Sequence, residues 1–519
     1  MGIFAKKPHV EAVAQAQEEA PQFEHVNWRT DPGLRKLYFY ATVLCVASAT
    51  TGYDGMFFNS VQNFDTWVEY FGNPQGSMLG LLGALYQIGS LVSIPFVPIF
   101  TDNFGRKIPI VIGCVLMIVG AVLQGSCQNL GTFMGGRVLL GFGNSFAQIA
   151  SPMLLTELCH PQHRGRITTV YNCLWNVGAL LVAWISFGTN YTRNQWSWRI
   201  PALIQALPSL IQVAFIYWVP ESPRYLMAKE RHEEALAILA KYHANGNVNH
   251  PTVQFEYQEI KETIRLEYES SKNSSYADFF KTKGNRYRLA ILLSLGFFSQ
   301  WSGNAIISNY ASKLYITAGV TDSNARLGLS AGQTVLALIV SVTMALLVDK
   351  LGRRLAFLAS TGGMFGTFVL WTLTSGLYDE HQSPGADKAM IFFIWLFGVM
   401  YSLAWSGLLV AYSIEILPYR LRAKGLMIMN VSVQAALTLN IYANPLAFDY
   451  FTGHTWKLYL IYTCWIFLEL MFVYFMYVET KGPTLEELAK VIDGNEAEVP
   501  RLDIRQIEKE VQIGEEKSV

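Results

Sequence analysis

The chain has 519 residues, of which 51% are hydrophobic and only 15% are charged, and its formal net charge is +0. Soluble proteins carry about 25% charged residues, so this chain has too few to cover a surface that faces water. A balanced net charge also argues against a protein that binds nucleic acid or another polyanion. The composition therefore indicates a membrane protein.

The hydrophobic residues are gathered into about twelve runs, each long enough to cross a bilayer, because a hydrocarbon core about 30 Å thick needs about 20 apolar residues per helix. The first six runs are centred near Val46, Ser90, Leu116, Gly141, Gly178 and Ala206. The second six are centred near Phe298, Leu338, Phe365, Phe397, Val433 and Phe467. We predict an all-α membrane protein with twelve transmembrane helices, called spans 1 to 12 below, in two pseudo-symmetric six-helix bundles.

Polar stretches around these runs set the predicted domain boundaries. We expect an N-terminal tail over residues 1–35, a first bundle over 36–219, a linker with amphipathic helices over 220–287, a second bundle over 288–480 and a C-terminal tail over 481–519. No cleavable signal peptide is visible, so the first span is expected to act as an uncleaved insertion signal.

Basic residues cluster in alternate loops, which predicts the orientation. They include Arg106 after span 2, Arg164 after span 4, Arg353 after span 8 and Arg422 after span 10. Because positive residues collect on the cytosolic side, these loops, the linker and both termini are predicted to be cytosolic. The sequon that begins at Asn190 would then lie outside the cell and is a candidate glycosylation site.

Two loop motifs occur once in each half of the chain. Asp102-Asn-Phe-Gly-Arg-Lys after span 2 matches Asp349-Lys-Leu-Gly-Arg-Arg after span 8. Glu157 precedes Arg164 by seven residues, as Glu415 precedes Arg422. Equivalent motifs in equivalent loops indicate an internal repeat of half the chain.

The repeated charges predict ion pairs at the cytosolic mouth between the bundles. Glu157 and Glu415 are expected within reach of Arg353 and Arg106, so that pairs across a shut mouth hold the halves together. One exposed pair contributes only about 0–1 kcal/mol, but several can bias two states that differ by a few kcal/mol. The alternative is that these charges only set topology. The candidate gate residues are Arg106, Glu157, Arg164, Glu221, Arg224, Arg353, Glu415 and Arg422.

The ordered set of motifs resembles the sugar porter branch of the major facilitator superfamily, over about residues 36 to 490. The matching stretches are Gly52-Tyr-Asp-Gly, Asn103-Phe-Gly-Arg-Lys, Gly136-Arg-Val-Leu-Leu-Gly-Phe-Gly, Glu157 through Gly165, Pro220-Glu-Ser-Pro-Arg-Tyr-Leu, Asp349 through Arg354 and Glu479-Thr-Lys-Gly-Pro-Thr-Leu-Glu-Glu. Within that branch, the segments 171–176 and 300–304 resemble the fungal lactose permease group. The resemblance implies alternating access and a central sugar site lined mainly by the second half.

Several positions depart from the pattern that this resemblance implies for the sugar site. Asn172 stands in place of a longer Gln on span 5, and Ser299 replaces the first Gln of span 7. Ala337 and Val410 stand where sugar porters place an Asn and a Trp. These replacements remove polar contacts and side-chain volume from the implied sugar site, which favours a larger or different solute, such as a disaccharide.

The candidate substrate residues are amides and aromatic rings, because sugars are bound through hydrogen bonds to their hydroxyls and through ring faces. Gly303 is expected to break span 7 and to expose backbone carbonyls there. For the two tryptophans, packing against other helices is the alternative. The candidates are Asn172, Asn176, Gln300, Trp301, Asn304 and Trp405.

Asp54 in span 1 and Arg137 in span 4 are charged residues inside predicted spans, and Glu469 in span 12 is a second intramembrane acid with no evident basic partner in its own span. A charge at the bilayer centre costs at least about 2.5–3.5 kcal/mol, so such residues usually pair and carry function. In the branch that the sequence resembles, this Asp and this Arg distinguish proton-coupled porters from uniporters. Asp54 is predicted to bind a proton from outside and, when deprotonated, to pair with Arg137. A static ion pair is the alternative.

The sequence contains no phosphate-binding loop, no pair of catalytic carboxylates and no Cys/His cluster, so an enzyme, a cofactor and a metal site are not expected. We predict a monomeric proton–sugar symporter in the lipid bilayer of the plasma membrane, which takes up lactose, a related disaccharide or a hexose. A porter for another solute (a polyol, a quinate-like acid or a secondary metabolite) is the second hypothesis. A transport-dead sugar sensor is the third.

Overall fold

The computed structural model describes residues 26, 28–273, 275–381, 385–418, 421–480 and 492. In this part of the chain the regular secondary structure is helical. Of the two predicted tails, residues 1–25 and nearly all of 481–519 lie outside the described residues.

Twelve helical segments correspond to the predicted spans. Spans 1 to 6 are Pro32–Val61, Gly76–Ser93 with Phe96–Phe104, Lys107–Ser126, Leu130–Leu158, Pro161–Thr189, and Trp196–Ile204 with Ala206–Ile216. Spans 7 to 12 are Lys283–Trp301 with Asn304–Thr317, Ser323–Leu351, Arg353–His381, Ala386–Ser402 with Leu409–Ile416, Arg422–Tyr450, and Trp456–Met476. Ten of these, all except spans 1 and 10, are long and apolar enough by length and composition to cross a membrane. The predicted twelve-helix fold is confirmed.

Shorter helices mark the two ends of the bundle. The linker between the halves contains Pro223–Ala228, His232–His243, Pro251–Asn273 and Asp278–Lys281. We call the end of the bundle that carries them the linker face. Asp65–Tyr70 and the 3-10 turn Asn190–Thr192 lie at the opposite end, which we call the far face.

Spans 1 and 5 pack very closely because each offers a glycine to the other. A Cβ at Gly52 would collide with the carbonyl oxygen of Trp175, and a Cβ at Gly178 would collide with that of Ala49. Small residues allow such close approach between membrane helices, where van der Waals packing drives association. The contact holds Asp54, two residues after Gly52, inside the bundle, where it is 1% exposed.

The two halves meet along two lines, span 2 against span 11 and span 5 against span 8. A Cβ at Gly80 of span 2 would lie 2.6 Å from the carbonyl oxygen of Tyr442 in span 11. On the other line, a Cβ at Gly328 of span 8 would lie 3.5 Å from the ring of Phe187 in span 5. The central region of the molecule is enclosed between these two lines of contact.

Span 7 is interrupted where the sequence predicts a break. Gly303 has a φ of +102°, a conformation that side-chain-bearing residues rarely adopt. A Cβ there would also approach the ring of Phe368 to 2.5 Å. The helix restarts at Asn304, so the predicted break is confirmed.

The linker helices pack against the first half through a buried histidine. Nδ1 of His243 lies 2.7 Å from a carboxylate oxygen of Glu256, and its Nε2 lies 3.1 Å from the carbonyl oxygen of Leu158 at the end of span 4. Burial lowers the pKa of His243, but the Glu256 carboxylate and the hydrogen bonds raise it by more, so the pKa lies above its ordinary value of 6.5. The charged form of this histidine therefore favours docking of the linker.

Candidate functional site

Asp54 is held by one polar partner on span 6. Nε2 of Gln205 donates a hydrogen bond of 2.9 Å to Oδ1 of Asp54. The other carboxyl oxygen, Oδ2, is buried without a hydrogen-bond partner. Gln205 is 1% exposed and joins the two helical pieces of span 6. Sequence reasoning missed this residue, although a glutamine inside an apolar run was visible.

Arg137 lies between backbone carbonyls and aromatic rings rather than against a carboxylate. It is 3% exposed, and its Nε and Nη2 donate to the carbonyl oxygens of Leu82 and Gly83 at 3.3 and 3.4 Å. Its guanidinium carbon lies 4.7 Å from the ring centre of Phe58 and 5.2 Å from that of Tyr86. Such stacking stabilises a desolvated cation by about 2 kcal/mol or more.

The direct ion pair predicted between Asp54 and Arg137 is not formed in this structure. Asp54 is bonded to Gln205, while Arg137 is turned toward span 2. Oδ2 of Asp54 and Nη1 of Arg137 are both buried and lack hydrogen-bond partners. The two ionisable groups thus lie in the interior without a bond to each other.

The predicted amides of span 5 face the second half. Asn172 is exposed and Asn176, one turn later, is half-buried. Phe187 lies on the same helical face, and its ring is in contact distance of Gly328 of span 8. The helical period therefore points both amides toward the boundary between the halves.

The predicted residues around the break in span 7 are half-buried and hold local bonds. Nε2 of Gln300 donates to the Ser299 hydroxyl at 3.2 Å, and Oδ1 of Asn304 accepts from the Ser308 hydroxyl at 3.2 Å. Nε1 of Trp301 donates to the carbonyl oxygen of Ala436 in span 11 at 2.9 Å. Each amide keeps further donor or acceptor capacity for a solute.

The structure corrects the expectation that Trp405 lines the pocket. Trp405 is 0% exposed, and its Nε1 donates to the hydroxyl of Thr361 in span 9 at 3.1 Å. Its ring packs edge-on against Phe357 and Phe298. The segment between the two pieces of span 10 turns the ring toward span 9, so packing is its role in this state.

Tyr462, Asn440 and Asn444 form a central polar cluster that was not singled out from the sequence. The hydroxyl of Tyr462 donates to Asn444 at 2.8 Å and accepts from Asn440 at 3.2 Å. These two asparagines are four apart inside an apolar run, as Asn172 and Asn176 are. Glu469 in span 12 is completely buried, and neither carboxyl oxygen has a hydrogen-bond partner.

The repeated charges form one brace in the first half, on the linker face. Arg106 makes a bidentate pair with Glu157, with N–O distances of 3.0 and 3.1 Å. The carboxylate of Glu221 accepts the backbone N–H groups of Arg106 and Lys107, at 3.1 and 3.3 Å. Glu221 thus satisfies the free N–H groups at the start of span 3, where the helix dipole also favours an anion.

The second half repeats this arrangement. Arg353 pairs with Glu415 at 3.2 Å, and Glu479 accepts the backbone N–H groups of Arg353 and Arg354 at 2.9 and 3.1 Å. Glu479 was missed as a site residue, although Val-Glu-Thr after span 12 matches Pro-Glu-Ser after span 6. The hydroxyl of Thr480 also donates to Glu415.

The pairs expected across a shut mouth are not formed in this structure, in which the halves are bonded to each other on the far face. Arg106 reaches Glu157 and Arg353 reaches Glu415, so each pair lies within one half. The reason is geometric, because each acid ends a helix that packs beside its own arginine. The remaining candidates also lie at the linker face: Arg164 near the linker residue Glu259, Arg224 in the first linker helix and Arg422 at the start of span 11.

On the far face, polar bonds do cross between the halves. Nε of Arg326 in span 8 donates to Oδ1 of Asn63 at 3.2 Å, and its Nη2 lies 3.6 Å from Asp65. The hydroxyl of Ser323 donates to the carbonyl oxygen of Asn63 at 2.7 Å. Gln62 donates to the carbonyl oxygen of Asn309 at 2.8 Å. We call this set the far-face latch: Gln62, Asn63, Asp65, Asn190, Asn309, Ser323, Asn324 and Arg326.

A family model described as "Sugar (and other) transporter" matches residues 40–492 of the chain. The chain belongs to this family. The transporter is 29% identical over 489 residues to a high-affinity glucose transporter of Kluyveromyces lactis, with 90% of this chain and 87% of that protein covered. It is 26% identical to a probable quinate permease of Aspergillus flavus, with 88% of each chain covered.

Solved structures show the fold of the transporter. The inward-open xylose transporter XylE of E. coli matches with a TM-score of 0.72 at 23% identity, over 88% of this chain and 99% of that one. The proton:xylose symporter XylE bound to 6-bromo-6-deoxy-D-glucose matches with a TM-score of 0.70, also at 23% identity, over 88% and 98%. At this identity the likeness establishes the major facilitator fold of a multi-pass membrane protein.

Asn190 of the transporter belongs to the far-face latch. Its Nδ2 donates to the hydroxyl of Ser323 at 2.9 Å and to Oδ1 of Asn324 at 2.8 Å. Glycosylation would attach a sugar chain to this same nitrogen. The candidate glycosylation site thus coincides with a bond between the halves, and a glycan there would compete with that bond.

Proposed function

We propose that the transporter moves a sugar together with protons by alternating access, with the linker face in the cytosol and the plasma membrane as its location. The family supports transport of small solutes, and the glucose transporter of Kluyveromyces lactis and the xylose transporter XylE suggest glucose and xylose as test solutes. The basic loops and the linker at one end support the orientation. In this orientation the latched far face is the extracellular one, and the transporter acts as a monomer.

The observation that carries proton coupling is the environment of Asp54. A carboxyl that is 1% exposed, with one oxygen bonded to an amide and the other unpartnered, is a site where a proton changes the local charge. Intramembrane ionisable residues that face the bundle interior commonly mark proton relays. The separation of Arg137 from Asp54 in this structure fits a state in which the acid carries its proton.

The cycle then depends on whether Asp54 and Arg137 engage each other. With the proton bound, Arg137 stays against the span 2 carbonyls and the Phe58 ring. When the proton leaves, the carboxylate and the free Nη1 attract each other inside a medium of low polarity, where charge interactions are strong. Movement of Arg137 toward Asp54 would shift span 4 against span 2 and so bias the two conformations.

The amides at the boundary support a polyhydroxylated solute. Asn172 and Asn176 approach from the first half, and Gln300 and Asn304 flank the broken helix of the second half. Trp301 offers a half-buried ring beside them. The short Asn172 and the small Ala337, in place of longer polar side chains, favour a disaccharide such as lactose as well as a hexose.

The test is the variant Asp54→Asn, which keeps size and polarity but cannot ionise. In a cell without its own sugar transporters, the natural chain should raise the pH of a weakly buffered medium when sugar is added. The variant should lose this alkalinisation and its accumulation against a gradient, while still exchanging labelled sugar between the two sides. Accumulation of sugar by the variant would overturn the coupling role.

Glu469→Gln is the matched control, because Glu469 is also a completely buried intramembrane acid. This variant should retain alkalinisation and accumulation. A protonophore should abolish accumulation by both the natural chain and the control. Equal loss of coupling in the two variants would show that the assay reports damage to the fold rather than the chemistry of Asp54.

A second candidate function is uptake of a quinate-like acid, a polyol or a secondary metabolite. The probable quinate permease relative supports it, at an identity similar to that of the glucose transporters. Competition between labelled glucose, lactose and quinate in the same cells separates the two candidates. Saturable uptake of quinate without any sugar uptake would replace the first proposal. Uptake of neither, with a normal amount of protein at the membrane, would favour a sugar sensor.

A further inference from the structure

A groove opens on the outside of the first half, at the linker-face ends of spans 1 and 6. It has a volume of about 560 Å³ and is lined by Pro32, Arg35, Lys36, Phe39, Tyr40, Phe215 and Trp218. This volume lies within the roughly 300–1,000 Å³ range of small-molecule sites. The groove is far from Asp54 along span 1, so the transport mechanism does not use it.

The wall formed by span 6 is an apolar face that meets lipid. Its exposed residues recur at helical spacing: Leu207, Leu210, Ile211, Phe215 and Trp218. Phe39 of span 1 extends this face, because it is 57% exposed and packs edge-on against Phe215 with ring centres 6.4 Å apart. Trp218 ends the face, and tryptophan is enriched where lipid headgroups begin.

Two cations stand at the headgroup end of the same groove. Arg35 and Lys36 lie one turn before Phe39 on span 1, and both are exposed. Neither forms an ion pair with the residues that the structure describes. An arginine fork and a lysine ammonium are the donors that proteins use for phosphate groups.

We propose that this groove binds one anionic glycerophospholipid, with its phosphate between Arg35 and Lys36 and its acyl chains along Phe39, Phe215 and Trp218. The charge of the groove and its continuity with the lipid-facing side of span 6 select this occupant. A free phosphate would use the two cations but would leave the aromatic wall uncovered. Zwitterionic lipid would cover the wall but would gain less from the two cations.

The test uses the full-length chain in detergent, titrated with phosphatidylserine or phosphatidylcholine, and counts lipid adducts by native mass spectrometry. Each basic residue near anionic lipid contributes about 1 kcal/mol, which corresponds to about a fivefold change in affinity. The double variant R35Q/K36Q should therefore bind phosphatidylserine about 25-fold more weakly. Its affinity for phosphatidylcholine should stay within about twofold of the natural chain.

The matched control is K283Q/R286Q, which removes two exposed basic residues from the linker-face end of span 7. This variant should change phosphatidylserine binding by less than twofold. An equal loss in both double variants would overturn the proposal, because it would mean that the anionic lipid follows net charge rather than the groove.

Two further measurements distinguish the lipid from the other possible occupants of the groove. Excess inorganic phosphate should leave the phosphatidylserine adduct in place, and displacement by phosphate would assign the cations to a free anion. Residues 11–24 contain four glutamates, Glu11, Glu18, Glu19 and Glu24, and could also occupy a basic groove. If deletion of residues 2–24 raised phosphatidylserine affinity several-fold, the acidic segment would be the occupant and the lipid proposal would fail.

Discussion

The two ends of the boundary between the halves use polar residues in opposite ways. On the far face, Arg326, Ser323 and Asn190 bond across the boundary. On the linker face, Arg106 with Glu157 and Arg353 with Glu415 bond within one half each. The residues that occur twice in the sequence therefore stiffen each half, whereas residues without a repeated counterpart join the halves. A transporter that rocks between two states needs both kinds of contact.

The largest effect is expected from breaking a linker-face brace. The side chains of Arg106 and Glu157 are only 9% and 12% exposed, and removing one partner of a buried pair costs about 3–5 kcal/mol. Arg106→Ala should lower the melting temperature of the purified protein strongly. Arg353→Ala should lower it less, because its pair is 17% and 26% exposed. Thermal unfolding in detergent measures both.

A brace inside one half should change stability without moving the equilibrium between states. Arg106→Met with Glu157→Gln, which removes both charges, should recover part of the lost stability. If Arg106→Ala left the melting temperature unchanged but shifted the far face open, the pair would act between conformations. The comparison of the two faces would then fail.

The next effect is expected at the far-face latch. Arg326→Met removes the hydrogen bond to Asn63 and the charge beside Asp65, and hydrogen bonds to charged groups contribute about 1.5–3 kcal/mol. The population with an open far face should rise about 10- to 100-fold. The measurement is the distance between spin labels at Glu69 and His454, on the far-face ends of the two halves, by double electron–electron resonance. Arg193→Met, an exposed arginine at the same end, should leave the distances unchanged.

A smaller effect is expected from Asn190. Asn190→Ala removes two neutral hydrogen bonds of about 0.5–1 kcal/mol each and should raise the population with an open far face about 5- to 30-fold, by the same distance measurement. Thr192→Val destroys the sequon but keeps the amide, so it should leave the distances unchanged. Natural protein that carries a full glycan at Asn190, seen as a mass loss with an N-glycanase, and still shows a closed far face would contradict the role of this amide.

The smallest effect is a pH dependence of linker docking. The pKa of His243 is raised in the folded protein, so its contribution is complete below its ordinary pKa of 6.5 and is lost as the pH rises through the raised value. Protection of residues 232–273 against proteolysis should therefore weaken as the pH rises above about 6.5. His243→Gln should show weak protection at every pH. A natural chain whose protection is independent of pH would exclude this role.

The fold could be predicted because each span depends on local composition. A run of about twenty apolar residues predicts a membrane helix wherever it occurs. Gly303 breaks span 7 for an equally local reason, because its φ is positive. The repeated motifs likewise led directly to the residues of the braces. The pairs within each half were not foreseen, since a repeat shows equivalence and not contact, and the pairs expected across a shut mouth stay a prediction.

The site could be predicted in residue type but not in pairing. Gln205 and Asp54 are 151 residues apart, and Arg326 and Asn63 are 263 apart, so no local pattern joins them. Trp405 and Trp301 are both tryptophans inside apolar runs, so the sequence does not distinguish them. Trp405 is buried because the turn within span 10 directs its ring toward span 9. Burial and partner choice come from tertiary packing, which a single sequence does not display.

The positions of Glu221 and Glu479 bear on whether the two halves need a covalent connection to fold. Each half contains the acid that completes the start of its third helix, so neither half borrows this group from the other. The linker helices up to Asn273 belong structurally to the first half. Two separately synthesised polypeptides, divided near residue 275, should therefore each fold and should find each other in the membrane. The covalent connection then raises the effective concentration of one half for the other. It is not needed for either half to form its structure.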